Sequence, residues 1–379
     1  MPAEGGFEPR IPYTRVLIIL MCIIVPVSIY GLYTISQANS SMEETIGLQF
    51  KALADSNAHE ISVFVHDRVA EAAMFAAAPV VAQTVQTANA RYRGMSDAAI
   101  QQRIQNIEAD WNKPAGDAWA KEIVGNEASN YLRNMLKLDP RFLRMTVTDE
   151  RGATVAATHK TLDYYQADEE FWQGIYAGGR GAVSVTDVLH DELTRANYIG
   201  IGVPIVEPGT ERLIGTLDAL VDVSMVSQIV QRSSLGPNSR VSLVKADGTI
   251  ISAPNTTLAM KMHSEDFDAV SELLATQAGR NKGYVVAAFP RGGEHLVAVS
   301  DTGLKADYKL LDWYVLVAQD TRQAFAPIRS ANTLISFVAL AGLVFITLLF
   351  VVYDLHRKRS YVDIEEATGE AALKGAATR

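Results

Sequence analysis

Sulfur chemistry is almost missing from this 379-residue chain, whose single cysteine is Cys22. No intrachain disulfide, thiolate zinc cluster, iron–sulfur centre or Cys-x-x-Cys redox pair can be built from it, so stability must come from packing. An excess of positive charge is missing too: 34 Lys and Arg stand against 43 Asp and Glu, which sets nucleic-acid binding aside. With 48% hydrophobic and 20% charged residues the chain is too apolar for disorder, and its length allows two or three folding units. The motifs of hydrolytic and phosphate chemistry are absent as well. There is no G-x-S-x-G elbow and no G-x-x-x-x-G-K-[ST] loop, and His66 follows His59-Glu60 at the wrong spacing for an HExxH zinc helix. With no nucleophile–base pair or metal constellation to name, the chain is not expected to be an enzyme, nor to carry a cofactor or metal.

Long hydrophobic runs, by contrast, are present. Val16 to Ser36 and Ser330 to Tyr353 are both free of charge. Each is long enough for a membrane-crossing helix, which needs about 20 apolar residues. Arg10 and Arg15 precede the first, and His356, Arg357, Lys358 and Arg359 follow the second, so the positive-inside bias puts both termini in the cytoplasm. A cleaved signal peptide is the alternative for the first run. Its apolar stretch exceeds the usual core of about 7–15 residues, and Ser36-Gln37-Ala38 is a weak cleavage site. The two tails are charge-balanced, so the whole net charge of −9 falls between the runs, a weak preference for cations or polar zwitterions as partners.

After the first run, Ile46, Phe50, Leu53, Ile61 and Phe64 recur near helical spacing, predicting a long helix from 37 to about 88. The stripe buries against its own chain or pairs with a second copy as a homodimer; neither role is catalytic. Ser96 caps a second predicted helix, and a third is expected from Asp117 to Leu138, stopped by Asp139-Pro140. From Arg141 the period becomes two. FLRMTVTD, a turn at Glu150-Arg151-Gly152 and ATVAAT read as a hairpin, followed by strands around 182–188, 197–205 and 212–223 and a short helix at 224–232. The plan then restarts with SRVSLVKADGTIISAP, a helix at 264–278, a further hairpin and the closing strand DWYVLVAQD.

A span, a long helix, two tandem α+β modules and a second span resemble the double-Cache (dCache), PAS-like sensor ectodomains of bacterial chemoreceptors, sensor kinases and cyclases. The likeness covers about residues 37–329. It rests on order and spacing, on Asp163-Tyr164-Tyr165-Gln166-Ala167-Asp168-Glu169-Glu170-Phe171-Trp172, which is similar to the family's segment before the pocket helix, and on Ile214 to Ser224, similar to its closing strand. The expected fold class is α+β: a long N-terminal helix and two PAS-like modules with antiparallel sheets, flanked by two transmembrane helices. The layout is a cytoplasmic tail at 1–15, a span at 16–36, a helical stalk at 37–140, a membrane-distal module at 141–232, a membrane-proximal module at 233–329, a span at 330–353 and a short cytoplasmic tail at 354–379. In that family the distal module typically binds a small extracellular ligand.

The residues support a pocket there. In strand 213–223, Leu213, Leu217, Ala219, Val221 and Val223 share one apolar face and Thr216, Asp218, Leu220 and Asp222 the other. Gly200 and Gly202 fall on the same side as Tyr198, leaving room either for a ligand or for a packed helix. Tyr164, Tyr165, Phe171, Trp172 and Tyr176 supply aromatic walls, or core; Asp168, Asp187 and Asp218 supply acceptors for an ammonium group, or solvated turns. The ligand-binding candidates are therefore Tyr164, Tyr165, Asp168, Phe171, Trp172, Tyr176, Asp187, Tyr198 and Asp218. Amino-acid-binding members of the family place an arginine just before the pocket aromatics, where this chain has Glu169 and Glu170; Arg180 or Arg195 would have to substitute. The expected ligand is accordingly an amine, another cation or a neutral molecule rather than a carboxylate. The 26 residues from Asp354 are too few for a kinase, cyclase or signalling hairpin. The expectation is thus a two-pass bacterial inner-membrane sensory subunit that signals through a separate membrane or cytoplasmic protein, with a docking subunit of a larger membrane complex as the alternative.

Overall fold

Apolar spacing and a proline together set the first two helices. In the computed structural model, which describes residues 13–190, 196–233, 238–289 and 293–326 and isolated positions from there to 351, α1 runs Tyr13–Ala76. The expected helix to residue 88 is interrupted: Pro79 cannot donate within a helix but is preorganised for its first turn, so it opens a new one, α2, Pro79–Ala90. The Ser96 side chain accepts from the Ala99 N–H at the head of α3, Asp97–Trp111. The helix expected from 117 to 138 is two, α4 Asp117–Gly125 and α5 Glu127–Leu138. Asn126 between them turns extended and caps the second by accepting from the Ser129 N–H.

The first apolar run lies in the backbone of α1, whereas most of Ser330 to Tyr353 and the whole tail from Asp354 fall outside the described residues. Among the described residues no helix is long and apolar enough to cross a membrane. The chain divides by compactness into residues 47–321 and, apart from them, the segments before 47 and after 321.

Two antiparallel sheets occupy the 47–321 unit. The first contains β1 Phe142–Asp149, β2 Thr154–Ala157, β3 Ser184–Val185, β4 Leu189–His190, β5 Asn197–Val206 and β6 Leu213–Asp222, in the order β2-β1-β6-β5-β3, with β4 also on β5. Between β2 and β3 lies α6, Glu170–Tyr176, and α7, Ser224–Arg232, follows β6. The second sheet is ordered β10-β11-β12-β7-β8-β9, from β7 Arg240–Lys245, β8 Ile250–Ala253, β9 Thr256–Thr257, β10 Tyr284–Phe289, β11 Gly293–Asp301 and β12 Trp313–Asp320. The helix expected at 264–278 is again two, α8 Glu265–Leu274, capped by Ser264, and α9 Gln277–Lys282.

The turn after β1 is built by a carboxylate. Asp149 Oδ1 accepts from the Arg151 and Ala153 N–H groups at 2.8 and 3.0 Å, and Gly152 takes the left-handed conformation at φ 81° that closes the hairpin. Helix α1 is fixed to both sheets: Arg68, 4% exposed, donates to Asp139 at the entry to β1 at 2.7 Å, and the Ser300 hydroxyl of β11 donates to Asp55 at 2.6 Å.

Candidate functional site

Strand alternation puts polar side chains on the α6 face of the first sheet. In β6 Leu217, Ala219 and Val221 are buried on one side, and Thr216 and Asp218 point to the other; Leu213 lies across a register shift from this alternation, and Val223 lies beyond the strand. The register sets Asp218 beside Thr146 of β1 and Gly202 of β5, and Thr216 beside Thr148. Helix α6 lies over this face, and between helix and sheet is a cavity of about 300 Å³.

Of the residues expected to bind, Phe171, Trp172, Tyr198 and Asp218 line this cavity together. Gly200 lines it as well, whereas Gly202 admits α6: a Cβ there would stand 2.2 Å from Ile175 Cδ1. Tyr164 and Tyr165 face elsewhere because Glu108 Oε2 of α3 accepts both of their backbone N–H groups at 2.8 Å, turning the segment toward the helices. Tyr164 packs on Trp111 instead, ring centroids 5.4 Å apart. Tyr176 stacks on Trp172 at 4.6 Å but lines a separate surface hollow, and Asp168 is an exposed turn residue. Asp187 is not on the lining either. It accepts from Trp313 Nε1 at 2.9 Å and pairs with Lys245 Nζ at 2.6 Å, both on the second sheet, while its neighbour Thr186 lines the cavity.

Residues that sequence alone does not single out complete the lining. Arg144, Thr146 and Thr148 alternate along β1, a period-two polar face legible in FLRMTVTD once its partner strand is known. Trp172 Nε1 donates to Thr148 Oγ1 at 2.8 Å, and Thr148 and Thr216 share a hydroxyl–hydroxyl bond at 2.8 Å, so the indole is fixed and these groups are satisfied. Arg180 does not reach the cavity and Arg195 lies outside the described residues; the arginine of the lining is Arg144, which makes no hydrogen bond among the described residues.

Asp218 is different from all its neighbours. The side chain keeps partial contact with the cavity, yet Oδ1 is sealed from solvent and has no hydrogen-bond partner. Burial pushes its carboxyl up to about 7, with the Arg144 guanidinium pulling the other way. An orphan buried acceptor costs roughly 1–3 kcal/mol unless something donates to it. Among the described residues no cluster of three metal-ligating side chains exists.

The sequence matches a family model described as a Cache domain over residues 38–328. No curated protein matches it. Solved structures do, at low identity. One is the ligand-binding domain of the Pseudomonas aeruginosa PAO1 amino acid chemoreceptor PctB in complex with L-Gln, at 16% identity, 77% of this chain, 98% of that chain and TM-score 0.43. Another is the ligand-binding domain of the Campylobacter jejuni chemoreceptor Tlp3 in complex with L-valine, at 13%, 74%, 95% and 0.47. A third is that of the Pseudomonas fluorescens chemoreceptor CtaA in complex with L-isoleucine, at 12%, 76%, 98% and 0.45.

Proposed function

This chain belongs to the Cache domain family, and from that premise we propose that it is a sensor of a small polar molecule, taken up in the cavity between α6 and the first sheet. The observation that carries the reading is the Asp218 carboxylate, which lines an open cavity and whose Oδ1 has no donor in the protein. A ligand that donates to this carboxylate offsets the penalty of burying the group. An amine, another cation or a neutral hydrogen-bond donor fits, and Arg144 leaves room for an acidic group elsewhere on the same molecule. A cation binds the ionised carboxylate, so its affinity rises with pH through about 7, where Asp218 titrates.

In this reading the runs at 16–36 and 330–353 anchor the chain in the inner membrane, with both ends in the cytoplasm, and the module at 141–232 is membrane-distal. Output passes to a separate protein. Ligand acts only through unequal affinity for two arrangements of the chain.

The test is a thermal-shift panel on the full chain in detergent, with amines, amino acids, organic acids, nucleobases and sugars. A ligand at about 100 times its dissociation constant adds roughly 2.7 kcal/mol. The expected result is a hit bearing a donor group that Asp218→Asn abolishes. Silence across the panel overturns the sensor reading in favour of a docking subunit, and an amine or neutral hit indifferent to Asp218→Asn removes Asp218 from the site.

A further inference from the structure

A second cavity, of about 350 Å³, lies between α2, α3, α4 and the β1–β2 hairpin and shares no residue with the Asp218 cavity. Its charged groups are unevenly committed. Glu122 is paired with Arg91 at 3.2 Å, and Asp149 receives the Tyr92 hydroxyl at 2.7 Å along with two backbone N–H groups. Glu127, at the start of α5, is the remaining acid on the lining. Arg103 has neither ion pair nor hydrogen bond among the described residues.

Beside it stands a second unpartnered donor. Tyr164 is 8% exposed, its backbone N–H is held by Glu108, and its hydroxyl faces this cavity with no hydrogen bond among the described residues. Burial and the nearby Asp149 carboxylate raise the tyrosine hydroxyl above its ordinary range, with Arg103 and Arg91 pulling the other way. The group therefore stays a protonated donor at every physiological pH. A tyrosine hydroxyl open to the cavity and a free guanidinium on the same lining are complementary to an anion, and an acceptor with two oxygens satisfies both at once.

We propose that this cavity is a second ligand site for a small carboxylate with a flat apolar body, its oxygens held by Arg103 and the Tyr164 hydroxyl and its body against Trp119, Ile107 and Ile123. The site is independent of the Asp218 cavity and takes the opposite charge.

The experiment is a fluorescence titration of the full chain in detergent with benzoate, using benzylamine as the oppositely charged counterpart of the same shape. Benzoate is expected to change tryptophan emission saturably, and Trp119→Phe to remove most of the change. Arg103→Gln, at an exposed residue without a partner, is expected to weaken binding about 10-fold or more, and Tyr164→Phe about 3- to 10-fold. Asp218→Asn is expected to leave the titration unchanged, which separates this site from the sensor cavity. No saturable response to benzoate, an equal response to benzylamine in the Asp218→Asn variant, or an Arg103→Gln variant that titrates like the parent overturns the proposal.

Discussion

At the scale of single residues, two buried carboxylates give the protein an unusual dependence on pH. Burial raises Asp218 to about 7 and Asp149 to about 6, so the folded chain binds more protons than the unfolded one between about pH 4 and 7. Stability therefore falls as pH rises through that window. Asp218→Asn is expected to raise stability at pH 8 by on the order of 2–4 kcal/mol, with little gain at pH 4. Urea unfolding of both proteins at the two pH values checks this; equal curves at pH 8 refute it. The same residue shows how far the site is legible in the sequence. Strand alternation alone places Asp218 on the polar face, and the family segment places Phe171 and Trp172. Thr146 and Thr148 escape such a reading, because a strand's polar face means nothing until its neighbour and register are known. Tyr164 and Tyr165 look like walls in the sequence because no local pattern reveals that Glu108, more than fifty positions earlier, holds their backbone.

At the scale of elements, the meeting of α6 with β5 depends on a missing side chain. Gly202 leaves the space that Ile175 fills, and a Cβ would lie 2.2 and 2.3 Å from its Cδ1 and Cγ1. Gly202→Ala is expected to destabilise the chain by about 1–3 kcal/mol through overpacking. Ile175→Ala added to it should cost less than the two changes taken separately, because the shortened side chain vacates the clash. Simple additivity in chemical denaturation would count against this packing account. Element by element, the chain is readable where a local signal decides the outcome: the cap at Ser96, the stop at Asp139-Pro140, and the hairpin that turns at Glu150-Arg151-Gly152. Breaks inside helical stretches are less legible. Pro79 and Asn126 each end one helix and begin another, and polar or proline residues inside an amphipathic pattern do not announce which they will do.

At the scale of the whole 47–321 unit, Asp187 joins the two sheets. Its carboxylate engages Trp313 and Lys245, and the Trp313 side chain is buried, so losing the acceptor leaves an indole N–H unsatisfied. Asp187→Ala is expected to lower stability by about 1–3 kcal/mol in chemical denaturation. A variant that unfolds like the parent would show that Asp187 adds little to the contacts α1 already makes with both sheets.

Three pins, Asp55 to Ser300, Arg68 to Asp139 and Asp187 to Trp313 and Lys245, make a closed figure: one side is a stretch of α1 and the other two are the sheets. Between Asp55 and Arg68 the helix rises about 20 Å, at about 1.5 Å per residue. A triangle with fixed sides has no hinge. Three attachments restrain the members more than one would, so a shift of the wall beside Asp187 also meets the two contacts on α1.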